Sequence, residues 1–122
     1  MARSKHLKIY QDAYHFTREL YRIKLKLPKA LKYDLGEQIS SSALRMLKGV
    51  VVANGSKNKN SSLQVVTLEI EVIWVFLRML LDLQGISKGE FNLLSERLVE
   101  ISKQNNNWRS WAKKVDTAAE IV

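Results

Sequence analysis

Ile9, Ala13, Phe16, Leu20, Ile23 and Leu27 follow one another at alternating steps of four and three residues, and nothing else in the chain restricts its fold as much. That stepping lines one side of an α-helix, whereas a half-buried strand needs alternation by two. It returns in Ile39, Ala43, Met46, Val50 and Ala53, then in Leu63, Val66, Ile70, Ile73, Leu77 and Leu80, and again in Phe91, Leu94, Leu98 and Ile101. Four amphipathic segments joined by short connections predict an all-α, up-and-down four-helix bundle, with helices at about 5–27, 35–54, 62–84 and 88–111. The 122 residues make a single domain, 1–122, large enough for a core of its own but without room for a separate catalytic module.

Residues suited to helix ends fall at the breaks in the pattern. Pro28 ends the first helix; Asp34 is the expected N-cap of the second, and Asn54-Gly55 its stop. Ser61 or Ser62 is placed to cap the third helix, and Gly85 to close it. Ser87-Lys-Gly-Glu90 has the form of a capping box opening the fourth. The polar run from Gly55 to Ser62 predicts a surface loop. Three asparagines at 105–107 weaken the end of the fourth helix, and the last residues, Lys113 to Val122, are expected as a flexible tail. Trp108 and Trp111 either cap the bundle end or anchor a partner.

The third helix has a second apolar stripe, in which Val65, Leu68, Val72, Val75, Phe76, Met79 and Leu83 lie roughly opposite its seam. One bundle core cannot bury both sides of a helix. A subunit contact through Val65, Leu68, Val72, Phe76, Met79 and Leu83, making a homo-oligomer, is the expectation; the alternative is a long central helix wrapped by the other three. The stretch from Val65 to Leu83 approaches the length of a membrane span, but Glu69, Glu71, Arg78 and Asp82 interrupt it, so no membrane association is expected. Without the apolar stretch and cleavage site of a signal peptide, the chain is expected in the cytoplasm.

Charge is distributed unevenly. Nine of the twenty Lys and Arg residues, but two of the twelve Asp and Glu, fall in the first 33 residues, so that segment holds nearly all of the net charge of +8. Lys8, Arg18, Arg22 and Lys29 share the side opposite the first seam, while Lys24, Lys26 and Lys32 extend the charge toward the first turn. A track of fixed cations suits the phosphates of a nucleic acid, with salt-sensitive binding as the consequence; a solvated face is the alternative. Tyr10, Tyr14 and Tyr21 border the track, either as a wet bundle rim or as platforms for unpaired bases.

Enzymatic chemistry finds little support. With no cysteine there are no disulfides, thiolate metal sites or thiol nucleophiles. His6 and His15 lack the spacing to share a metal, Ser40-Ser-Ser42 lacks a glycine-flanked elbow, and Asn54-Gly55-Ser56-Lys57 lacks the spacing of a phosphate-binding loop. No catalytic residue, metal or cofactor is expected.

The order of features resembles a known family. A basic, aromatic first helix is followed by Leu27-Pro28-Lys29, by Tyr33-Asp-Leu-Gly-Glu-Gln-Ile39, by a helix ending in Val52-Ala-Asn-Gly55, and by Ile86-Ser-Lys-Gly-Glu-Phe91 leading to an end rich in asparagine and tryptophan. From about Leu7 to Trp111 this is similar to the accessory variability determinant (Avd) proteins of diversity-generating retroelements. These are related to four-helix-bundle proteins encoded within ribosomal RNA intervening sequences. The latter commonly have an Ile-Pro-Ala-Asn-Ile-Ala-Glu-Gly run where this chain has Val50-Val-Val-Ala-Asn-Gly55, which favours the retroelement branch. The resemblance implies a ring-like homopentamer that binds a reverse transcriptase and its template RNA in mutagenic retrohoming, with no catalytic activity of its own. Onto this chain it transfers a binding role for Arg18, Arg22, Lys24, Lys26, Lys29 and Lys32. A reading from a different class is a protein-interaction module whose basic side meets an acidic partner.

Overall fold

A computed structural model describes residues 7–121, excluding the side chains at 117 and 119–121. Its helices are α1 (Lys8–Lys26), α2 (Lys29–Lys32), α3 (Leu35–Gly55), α4 (Asn60–Asp82) and α5 (Lys88–Ile121). α2 is a single turn, which Pro28 opens by accepting bonds from the Leu31 and Lys32 amides. The other four helices form the expected up-and-down bundle, and no strand occurs among the described residues. Around it α1 packs on α3, α3 on α4, α4 on α5 and α5 on α1, while the diagonal pairs stand apart. None of the described helices is long and apolar enough to cross a membrane. Residue 5, expected to begin the first helix, and His6 lie outside the described residues.

The core is made of the seams. All the seam positions of α1, α3 and α4 are buried, as are Leu94, Leu98 and Ile101 of α5, with Phe91 packed half-buried against them. Each fully buried large side chain contributes about 1.5–3 kcal/mol, so the periodic pattern carries most of the stabilisation of the fold. α3 and α4 approach closely at Gly49, where an added Cβ would lie 2.7 Å from Val66 Cγ2. A stiff, β-branched valine in a packed core cannot yield that space cheaply.

Helix ends depart from the sequence expectations in several places. The capping box is formed: the Ser87 amide donates to Glu90 Oε1 at 2.9 Å and the Glu90 amide to Ser87 Oγ at 3.0 Å. Asp34 holds the N-cap position of α3, but its side chain makes no capping bond. α4 begins at Asn60, ahead of Ser61 and Ser62, because Asn58 Oδ1 accepts from the Asn60 amide at 3.1 Å and sets the turn earlier. At its other end Gln84, with φ of 61°, takes the left-handed position expected of Gly85. The Gln84 amide bonds to Leu81 O and the Gly85 amide to Leu80 O, a Schellman closure. Gly85 matters for space instead, since a Cβ there would meet Leu31 Cδ1 at 3.0 Å.

The largest correction is at the C-terminus, where α5 continues from Trp111 to Ile121 in place of a tail beginning at Lys113. Ala112 is buried against Ala53 and Leu63, with Trp108 beside them, and Asn60 Nδ2 donates to Asp116 Oδ2 at 2.6 Å. These contacts tie the extra turns to the α3–α4 connection. The asparagine run is accommodated for the same reason, since Asn105 is buried and donates to Thr67 Oγ1 at 2.8 Å. Tertiary contacts here outweigh a weak helix propensity.

Candidate nucleic-acid interface

The seam of α1 fixes where its cations go. With Ile9, Phe16, Leu20 and Ile23 turned inward, Arg18, Arg22 and Lys26 fall on exposed positions, and Pro28 hands the chain to α2, where Lys29 is exposed and Lys32 half-buried. Arg18, Lys26 and Lys29 have no carboxylate within 4 Å among the described residues. The Arg18 guanidinium lies over the Tyr14 ring at 5.7 Å, and Lys32 Nζ over Tyr33 at 5.6 Å. Arg22 stands 3.7 Å from Glu19, a loose exposed pair.

Two of the seven expected cations are more engaged. Lys24 keeps only 14% of its side chain exposed, running along α3 to pair with Glu37 at 3.1 Å. A Cβ at Gly36 would lie 3.2 Å from Lys24 Cγ, so the glycine makes room for that stem. Lys8 donates to Asp12 at 2.7 Å and stands 3.8 Å from Glu100. Its hydrogen bond to Asp12 raises the Lys8 pKa above the ordinary lysine value. Burial alone would raise the Asp12 carboxyl, but hydrogen bonds from Lys8 and Gln104 outweigh it and hold the group below the usual carboxylate range.

The structure brings α5 into this region, which the charge count did not anticipate because α5 lies in the balanced part of the chain. An open groove of about 520 Å3 runs between α1 and α5, with His15, Arg18 and Arg22 on one wall and Arg97 and Glu100 on the other. On the opposite flank of α1, Tyr14 and Tyr21 line a second groove with Leu44 and Leu47 of α3, while Tyr10 packs against the core and stacks on Tyr14 at 6.1 Å. Trp108 packs against both core clusters, whereas Trp111 is exposed. Among the described residues no three His, Asp or Glu side chains gather into a metal-binding group.

The second stripe of α4 is laid out along the outside of the bundle. Val65, Leu68, Val75, Met79 and Leu83 are exposed on the single chain, and Val72 and Phe76 are half-buried. Of the polar positions beside it, Arg78 pairs with Asp82 at 3.1 Å, and Thr67 turns to α5, accepting from Asn105 and Arg109.

No curated protein matches the chain. The model of the bAvd-like family matches residues 7–114, a span that takes in all of the bundle except the last turns of α5, with the grooves beside α1. A match of that length on four packed helices places the chain in the bAvd-like family, the accessory variability determinant proteins of diversity-generating retroelements.

Proposed function

We propose that this protein is a non-catalytic accessory subunit that binds template RNA and the reverse transcriptase of a diversity-generating retroelement, supporting templated copying by that polymerase in mutagenic retrohoming. It acts in the cytoplasm as a homo-oligomer joined through the α4 stripe, a homopentamer by resemblance to its family. It needs no metal or cofactor. The observation that carries the nucleic-acid part is the set of exposed cations without carboxylate partners on α1 and α2, namely Arg18, Lys26 and Lys29. Fixed cations on a rigid helix neutralise phosphates and release counterions, which gives affinity without requiring any base to be read.

The test is RNA binding by the purified protein across a salt series, repeated with Arg22→Glu and Lys26→Glu together. Both side chains are exposed, so helical content and particle mass should stay the same while affinity falls by at least tenfold and its salt dependence flattens. Unchanged affinity would move the cations to an acidic protein partner.

A further inference from the structure

We infer that the groove between α1 and α5 is a phosphodiester-binding site, in which Arg97 of α5 acts together with Arg18 and Arg22 of α1. The inference rests on the RNA-binding reading above and gives it a location with two walls. Arg97 sits where acids and bases balance along the chain, and only folding sets it across from the basic helix.

Pairing within the groove leaves specific charges uncompensated. Asp12 is engaged by Lys8 and by Gln104, each at 2.7 Å, and Glu100 stands 3.8 Å from the same lysine. Glu19 is 3.7 Å from Arg22. Arg18 and Arg97 are left, one on each wall, with no carboxylate within 4 Å among the described residues. Guanidinium forks match phosphate oxygens in two-point hydrogen bonds, better than the same charge on lysine. His15, exposed on the same wall as Arg18, adds another ring donor or acceptor.

The chemistry of the lining selects the occupant. Every residue that lines the groove is ionisable, so its apolar surface comes from the carbon stems of charged side chains and no aliphatic or aromatic core-type residue lies in it. Protein partners gain most of their affinity from apolar or aromatic anchors seated in pockets, and none is available here. A sugar-phosphate backbone needs only cations held in place along an open channel. Glu19 and Glu100 oppose such a ligand, so their neutralisation should strengthen its binding, an effect that a folding defect cannot imitate.

The experiment measures binding of a fluorescently labelled oligouridine RNA to the full chain over a salt series. Arg97→Gln should weaken binding several-fold and lower the log–log salt slope by about 0.7, the share of one phosphate contact on a single strand. Glu100→Gln should tighten binding about twofold to threefold, and Lys88→Gln, an equal charge change outside the groove, should do neither. If Arg97→Gln and Lys88→Gln behave alike, or Glu100→Gln does not tighten binding, the groove assignment is wrong. A loss with Lys26→Glu and Lys29→Glu, which lie outside the groove, would then leave RNA binding standing without it. No binding of the oligouridine by the unaltered protein at low salt would overturn both.

Discussion

Glu69 projects from α4 toward α3 and is only 7% exposed, in a position that neither the seam nor the second stripe of α4 explains. Its carboxylate accepts from Arg45 Nε at 2.6 Å and from Ser42 Oγ at 3.1 Å, and Arg45 also donates to the serine oxygen at 3.2 Å. A buried carboxylate is tolerated when paired and costly when left alone. Arg45→Met should therefore destabilise the protein by about 2 kcal/mol, toward the lower end for such pairs because the arginine is half-exposed. In urea unfolding this appears as a lower midpoint with an unchanged slope. Adding Glu69→Leu should restore most of the loss, since an apolar replacement removes the uncompensated charge. No change with Arg45→Met alone would mean that Glu69 does not depend on that partner. From sequence, Glu69 was visible only as an interruption of an apolar run, and Ser42 only as part of a serine run without a glycine-flanked elbow. Their pairing spans 27 residues and two helices, beyond the reach of any local pattern.

Among the elements, the α3–α4 connection is held by contacts that its composition does not show. Its composition is that of a surface loop, yet Lys59 Nζ donates to Ala53 O at 2.9 Å and Ser56 O at 2.8 Å, with Asn54 O at 3.4 Å. The ammonium thus satisfies carbonyls at the C-terminus of α3, where the helix dipole also favours a cation, and it lies 5.9 Å from the Trp108 ring of α5. Lys59→Met keeps the stem and removes those bonds, so a loss of about 1–2 kcal/mol is expected. The loss should be concentrated in faster amide exchange at residues 53–58, and uniform exchange across the bundle would argue against a capping role. The seams were legible because helix periodicity is a property of consecutive residues, and the capping box because both partners lie within one turn. The start of α4 and the continuation of α5 were not, because what fixes them comes from elsewhere in the chain. Ala112 needs Ala53 and Leu63, and Asn105 needs Thr67. Arg97 belongs with these, since its relation to α1 exists only once the bundle closes.

Across the whole molecule the order of packing, α1 to α3 to α4 to α5, sets an apolar side and a charged side opposite each other. Leu68 and Val75 of α4 are each 59% exposed, and Val65 of the same stripe lines a groove with Val52, Arg45 and Lys48 of α3, whereas the α1–α5 groove is lined wholly by ionisable residues. A chain this small gains little from leaving such a stripe in water, and association through it would leave the basic grooves of every subunit facing outward. Leu68→Glu together with Val75→Glu tests this arrangement. Both positions are exposed in the single chain, so helical content and the cooperativity of unfolding should survive. Unpaired carboxylates at the centre of a subunit contact cannot be desolvated cheaply, so light scattering should report a particle of one-subunit mass. RNA affinity should fall as well, although no cation is removed, because a strand that meets several linked subunits gains from their high effective concentration. The salt slope should fall with it, as fewer phosphates are neutralised by each particle. An unchanged mass would exclude the stripe as the contact. A monomer that keeps full RNA affinity would show that one basic groove is sufficient and that assembly serves the polymerase instead.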